Sequence, residues 1–295
     1  MPDEQEARLS DDGLHPNLAE KYARLQANLR VLGSVLVAYS GGVDSALLLK
    51  VAHDTLGSRY CMGAIAVSAA YDDEETAGAL NVAATMGIPV TVVTTHELEN
   101  PAYVANGFDR CFFCKEELFT ELEPLARQHD LAHVIYGINL SDQGDYRPGQ
   151  KSARQRGVGG PLLDAGMTKE DIRALAHHLG VPVWNKPALA CYSSRIPYGT
   201  PVTVEALRRI GSAERLIHAL GFERVRVRDH EKIARIEVDQ ADLAAIIAPD
   251  VRTAIDRGLR ELGYLYVTID LRGYRTGSMN DVLRAHPVPM IAAHE

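Results

Sequence analysis

The chain has 295 residues, with 31 lysines and arginines against 39 aspartates and glutamates, a formal net charge of −8. That length suits one large domain or two moderate ones, and 46% hydrophobic content with dispersed charge excludes a disordered chain. The acidic balance argues against a protein that grips long nucleic acid by its phosphates. No apolar run approaches the ~18–20 residues of a membrane span, and the polar opening Met1–Glu6 lacks the layout of a signal peptide. A cytoplasmic protein without a membrane partner is expected. In that reducing compartment Cys61, Cys111, Cys114 and Cys191 read as ligands or reactive thiols rather than disulfides.

Residues 1 to about 15 are polar. The spacing Leu18, Tyr22, Leu25, Leu29, Leu32 predicts an amphipathic helix over Asn17–Leu32. Val35–Tyr39 is a continuous apolar run, the pattern of a strand buried on both faces. Ser40, Gly41 and Gly42 then force a sharp turn, and a helix apolar almost all round follows through Val51. A small-residue turn that opens a helix is an anion site, because backbone N–H groups and the positive end of the dipole point the same way. The alternative is an ordinary tight turn with Ser40 as cap and Asp44 balancing the dipole. Neither G-x-x-x-x-G-K-[ST] nor G-x-G-x-x-G occurs in the chain.

Strands are predicted at Cys61–Val67, Pro89–Thr94 and His133–Gly137, with helices over Asp72–Met86 and about Cys114–Gln128. Strands alternating with helices indicate an α/β fold with a doubly wound parallel sheet, whose ligands sit beyond the carboxyl ends of the strands. That groups Ser40, Ser68, Thr94 and the Gly137–Asp142 turn, with Asn139, around one crevice. Thr168–Asp171 caps a helix ending at Gly180, and the prolines of Val181–Pro187 predict an extended segment. After Thr203 come a helix to about Leu220, strands at Arg224–Arg228 and Ile233–Val238, two further helices and a strand over Tyr264–Leu271. This is a smaller C-terminal α+β domain. The boundary falls between Pro187 and Pro201, giving domains 1–190 and 191–295.

Cys111 and Cys114 form a C-x-x-C pair that, with His129 and His133, matches a zinc spacing. The intervening residues read as one helix, which would set thiols and imidazoles roughly 20 Å apart. One ion cannot bridge that, so His129 is a helix-end residue and His133 a loop residue. Cys61, inside a predicted strand, reads as core. Cys191 lies in Pro187–Gly199, a stretch without periodicity that holds a thiol, hydroxyls including Ser194, and Arg195. Loops of that composition are more often sites than scaffolding. Arg226 and Arg228 alternate on one strand face, suited either to a phosphate or to a solvated edge strand.

The combination Ser40-Gly-Gly-Val-Asp-Ser45 resembles the PP-loop of the ATP pyrophosphatases, the N-type group with NAD synthetase and the tRNA thiolases. The resemblance implies a Rossmann-like domain that splits ATP between its α- and β-phosphates. It further implies nucleotide contacts from Ser40, Gly41, Gly42, Asp44, Ser45, Ser68, Gly137 and Asn139, with Asp44 also on Mg²⁺. Pro187–Cys191 running into Ser193–Gly199 is similar to the sulfur-transferase loop of the LarE family. So are Gly144–Pro148, Ala234–Val238 and Gly273–Met279. Membership would imply an ATP-dependent sulfur transferase that adenylylates the carboxylates of pyridinium-3,5-biscarboxylic acid mononucleotide and converts them to thiocarboxylates. Ser194, Arg195, Arg226 and Arg228 would hold that substrate, sulfide or a sulfur-donor protein would supply the sulfur, and a homo-oligomer is implied.

Simple members of that family rely on one sacrificial cysteine at the position of Cys191. The added Cys111/Cys114 pair departs from them. Three thiolates suit a [4Fe–4S] cluster with one iron unligated by protein. A redox C-x-x-C pair is the alternative for Cys111 and Cys114. Two other functions share parts of the pattern: a tRNA 2-thiouridine synthetase, for which the −8 charge supplies no basic face, and a non-catalytic nucleotide-binding regulatory module.

Overall fold

The alternation of apolar side chains along Val35–Ala38 sends Val35 and Val37 into one core and Leu36 and Ala38 into another. This strand, β1, is the pivot of the first of two units of a computed structural model, which describes residues 13–143, 148–187, 190–275 and 277–281. Gly144–Arg147, Ala188, Leu189 and Thr276, which belong to the quoted motifs, lie outside the described residues. The first unit is Met1–Tyr103 with Phe108–Leu189, and the second is Val104–Gly107 with Ala190–Glu295.

In the first unit β1, β2 (Cys61–Val67), β3 (Val90–Thr94) and β4 (His133–Tyr136) pair in parallel in the order β3-β2-β1-β4. The helices are α1 (Pro16–Leu32), α2 (Val43–Leu56), α3 (Asp73–Thr85), the single turn α4 (Pro101–Val104), α5 (Arg110–Gln128), α6 (Gly149–Gln155), α7 (Pro161–Asp164) and α8 (Lys169–His178). On one face Leu25 and Leu29 of α1, Leu47–Leu49 of α2 and Ile172 and Leu175 of α8 close over Val35 and Val37. On the other, Phe119 and Leu122 of α5 cover Leu36 and Val134. The sheet is therefore doubly wound, as its sequence pattern predicts. β1 has β2 on one side and β4 on the other, so the chain reverses direction across the sheet there, the position where such folds bind ligands.

Two expectations need correction. The helix carrying the cysteine pair begins at Arg110, four residues earlier than its apolar spacing suggests. Asp109 stands at its N-cap without a side-chain cap, so no start signal marks the true end. Residues 181–187 fold into turns instead of extending, with Trp184 N–H donating to Val181 O at 3.1 Å and Lys186 N–H to Val183 O at 3.0 Å. Pro182 sits at the second position of the first turn, where its fixed φ is favourable.

The second unit holds α9 (Val204–Ala219), β5 (Val225–His230), β6 (Ile233–Val238), α10 (Leu243–Ile246), α11 (Pro249–Glu261) and β7 (Tyr266–Ile269). β5 pairs antiparallel with β6, and β6 pairs parallel with β7. Its own core packs Ile217 of α9 and Leu259 of α11 on Val227, Ile236 and Val238. Val104–Gly107 also belongs here. Val202 N–H donates to Val104 O at 2.9 Å, and Gly199 N–H to Asn106 O at 3.0 Å. The buried Asn106 amide donates to the carbonyls of Pro197 and Thr200, each at 2.8 Å.

Candidate active site

In the first unit the loop Ser40–Gly42 leaves β1 and enters α2 with Gly42 at the N-cap. The helices α3, α8 and α9 are capped by the side chains of Asp72, Thr168 and Thr203, whereas no side chain caps α2. Ser40 is not the cap its position suggested. Its Oγ lies 3.1 Å from Ser45 Oγ, which donates to Gly42 O and accepts from Ser40 N–H, each at 3.1 Å. The two serines brace the loop from inside, and the first turn of α2 keeps its positive end for an anion.

Two close approaches fix this loop. Gly41 has φ +73°, and a Cβ there would lie 2.5 Å from the Ala79 Cβ of α3. At the end of β4, a Cβ on Gly137 would meet Ser45 N at 2.9 Å and the Asp44 carbonyl carbon at 3.0 Å. Glycine is required where the strand passes this close to the helix start. The buried Tyr39 hydroxyl donates to Ala79 O at 2.9 Å, and burial pushes its pKa up to about 12. Asn139 is buried and caps the turn after β4, its Oδ1 accepting from Ser141 N–H at 2.9 Å. Ser68 donates its hydroxyl proton to the buried carboxylate of Glu97 and accepts from Ala70 N–H at 3.2 Å. Asp44 receives Lys169 Nζ at 2.6 Å. Neither Glu97 nor Lys169 was expected from the sequence, where nothing marks them.

Cys111 and Cys114 stand one helical turn apart in the first turns of α5, on one face. Cys111 is exposed, Cys114 is half-buried, and the Tyr71 hydroxyl lies 3.7 Å from Cys114 Sγ. Cys61 is core, as expected, with its thiol raised to about 12 by burial and then by Asp54. His133 opens β4 with an exposed side chain rather than lying in a loop.

The second unit carries Cys191, half-buried, at the N-terminal side of the turn Tyr192–Arg195. Arg195 organises this loop. Its Nη1 donates to Ala190 O at 2.7 Å, Cys191 O at 3.2 Å and Ser194 Oγ at 3.1 Å. Its Nε and Nη2 donate to the two carboxylate oxygens of Glu214 at 2.9 and 2.8 Å. Burial opposes the Arg195 charge, but Glu214 overrides it and holds the pKa above the ordinary arginine value. Glu214 also accepts from Val227 N–H at 2.8 Å. The sequence signal for Glu214 is a carboxylate on the apolar stripe Leu207, Ile210, Ala213, Ile217.

Arg226 and Arg228 share a face of β5, and both are buried, so the strand face is not solvated. Arg228 is fully engaged, with Glu237 at 3.0 and 2.8 Å, Ser194 O at 2.7 Å and Ser278 Oγ at 2.7 Å. Arg226 is 9% exposed, and its guanidinium lies 4.5 Å from the centre of the Tyr274 ring. Burial lowers its pKa, and the neighbouring charges of Arg195 and Arg228 lower it further, against the opposing effects of Tyr274 and Glu237. Arg195 and Arg228 are each paired with a carboxylate, whereas Arg226 has no ion pair among the described residues, so it is the arginine best suited to take an anion.

Among the described residues no group of three or more His, Cys, Asp or Glu side chains is gathered for a metal ion, and no helix is long and apolar enough to cross a membrane. No family model matches the chain. It is 41% identical over 266 residues to an uncharacterized protein of Synechocystis sp., covering 90% of this chain and 99% of that one. An uncharacterized protein of Methanocaldococcus jannaschii is 26% identical over 264 residues, covering 89% of this chain and 96% of that one. The pyridinium-3,5-bisthiocarboxylic acid mononucleotide synthase of Lactiplantibacillus plantarum is 40% identical over 266 residues, covering 90% of this chain and 96% of the synthase. On that identity and coverage, the chain belongs to the LarE family.

Proposed function

We propose that this protein is an ATP-dependent sulfur transferase that converts the carboxylates of pyridinium-3,5-biscarboxylic acid mononucleotide to thiocarboxylates. The observation that carries the reading is the 40% identity over 90% of the chain to the synthase. The phosphate loop and the arginine cluster of the second unit support it.

A carboxylate is a poor electrophile because its leaving group would be oxide. In the first step a substrate carboxylate oxygen attacks the α-phosphorus of ATP, the α–β bond breaks and pyrophosphate leaves. The uncapped first turn of α2, with Gly41 and Gly42, receives the phosphates, and Ser40 and Ser45 hold the loop in shape. The donor set fits magnesium, since Asp44 offers a hard oxygen beside the phosphate position. Ser68, Gly137 and Asn139 line the carboxyl edge of the sheet that takes the nucleoside. Arg226, backed by Arg228, holds the phosphate of the mononucleotide. Ser194 and Arg195 shape the loop beside it.

In the second step a sulfur nucleophile attacks the acyl carbon and expels AMP. With the hydrosulfide ion, HS⁻, as nucleophile the products are thiocarboxylate, AMP and a proton. Cys111, Cys114 and Cys191 are the thiolates that would hold a [4Fe–4S] cluster, and three protein ligands leave one iron free. When bound, such a cluster supplies a place to carry an extra sulfide, drawn from free sulfide or a sulfur-donor protein. The protein is then a catalytic donor that works in the cytoplasm as a homo-oligomer.

The decisive experiment is anaerobic turnover with ATP, Mg²⁺, sulfide and the biscarboxylate mononucleotide. Pyrophosphate release that depends on the mononucleotide, with thiocarboxylate by mass spectrometry, is the expected result. Pyrophosphate without thiocarboxylate, or none at all, refutes the activity. Iron and sulfide analysis after reconstitution tests the cluster, which is refuted by a Cys111→Ala chain that keeps full cluster content.

A further inference from the structure

Lys169 and Asp44 meet across 125 residues of chain, and both side chains are about three-quarters buried. The lysine stands at the first position of α8, an end where the helix dipole disfavours a cation. The residues beside it, Glu170 and Asp171, have the sign that this position favours. The backbone around Lys169 is held on three sides. Thr168 and Asp171 form a reciprocal capping box, Lys169 N–H donates to Ser141 Oγ at 3.0 Å, and Leu140 N–H donates to Met167 O at 2.8 Å. Ser141 in turn donates its N–H to Asn139, so the turn after β4 and the start of α8 are one assembly. That assembly carries a cation to the helix that opens with the phosphate loop.

The ammonium lies 2.6 Å from Asp44 Oδ2, so a divalent ion at an Mg–O distance of about 2.0–2.1 Å from either oxygen of that carboxylate would bring two cations close together. We infer that Lys169 is a displaceable counter-ion that keeps divalent cations off Asp44 until a nucleotide arrives. This rests on the reading of the loop as a site for ATP and magnesium. With a triphosphate present, its negative charge pays for both cations. The lysine, a point charge on a flexible stem, turns from the carboxylate toward the phosphates. Lys169 is thus a positioning residue that sets the order of entry: metal with nucleotide, not metal alone.

The test uses the full chain with Mn²⁺ as probe, read by the EPR signal of free Mn²⁺. It is run without nucleotide and then with α,β-methylene-ATP, which cannot be cleaved at the reacting bond. Without nucleotide the wild type should bind Mn²⁺ weakly. Lys169→Met and Lys169→Gln should each bind it on the order of tenfold more tightly, a tenfold change being about 1.4 kcal/mol. That gain should vanish when Asp44→Asn is added, and Lys169→Arg should behave as the wild type. With the analogue present the order reverses, because both neutral variants hold the phosphates less well. Equal or weaker Mn²⁺ binding by both neutral variants without nucleotide overturns the inference. Failure of the ATP reading shows separately, as no binding of the analogue by the wild type at any Mn²⁺ concentration.

Discussion

Two arginines two positions apart on one strand face have opposite duties. Arg228 neutralises Glu237, which is fully buried, and ties down Ser194 and Ser278. Removing it leaves that buried carboxylate with only the longer contacts to Arg235 and Ser278, each at 3.3 Å, an effect of about 3 kcal/mol. Arg226 has an aromatic ring for company rather than a carboxylate. Truncating it removes a buried charge that, among the described residues, has no ion pair and only the more distant opposing charge of Glu237. Arg226→Met is therefore expected to unfold in urea within about 1 kcal/mol of the wild type while raising KM for the mononucleotide about tenfold, a charge-assisted hydrogen bond being worth ~1.5–3 kcal/mol. Arg228→Met should instead lower the urea midpoint sharply. Equal effects of the two changes on stability would show that the division of labour is wrong. Glu214 gives a third prediction. Glu214→Gln loosens the grip on Arg195, and through it on the carbonyls of Ala190 and Cys191. Thiocarboxylate formation should fall while analogue binding at the phosphate loop is unchanged, as product assay and calorimetry can read.

At the scale of elements, the start of α8 offers a pH signature. Burial works against the Asp171 carboxylate, but hydrogen bonds from Lys21 and Thr168 prevail and hold its pKa below the ordinary value of 3.8. On acidification the unfolded chain takes up that proton before the folded one does. The stabilisation is therefore complete above about pH 4 and is lost as pH falls through the folded pKa. Asp171→Asn should be less stable at pH 7 by about 1 kcal/mol, and the gap should narrow below pH 4 in denaturant titrations. The capping box was legible, because Thr168 and Asp171 announce it three residues apart. The parallel sheet was legible for a similar reason, since four short apolar runs alternate with helical spacing. What escaped was everything set by contacts distant in sequence. Arg110 begins a helix with no cap to mark it. Glu97, Lys169 and Glu237 are ordinary charges until the fold supplies Ser68, Asp44 and Arg228. The Cys191 loop was legible as a place of interest, but the role of Arg195 as its organiser depends on a helix that follows it. Gly211 was equally silent, although a Cβ there would lie 2.9 Å from the Tyr192 ring. Gly211→Val is expected to displace that ring and disturb the adjacent thiol, which labelling rates of Cys191 would report.

At the scale of the whole molecule, each unit has its own core: Val35, Leu47–Leu49 and Ile172 among others in the first, Val227, Ile236 and Leu259 in the second. Two separate cores allow two unfolding transitions, so each stability change is to be read from the transition of the unit that carries the residue. Ile236→Ala, expected to cost ~2–5 kcal/mol in the second core, should make that unit susceptible to protease while analogue binding at the phosphate loop persists.

The segment Val104–Gly107 leaves the first unit, lends its backbone to residues 199–202 of the second, and returns. A gene cut once near codon 190 would therefore yield no clean halves. The upstream product would keep Asn106 with its hydrogen-bonding groups deprived of Pro197 and Thr200, and the downstream product would lack a piece of its own wall. Only an internal excision, or re-supplying the missing tetrapeptide in trans, would give a stand-alone C-terminal body. The C-terminal unit is thus not a tail joined at a single point, because the chain enters it at Val104 and again at Ala190.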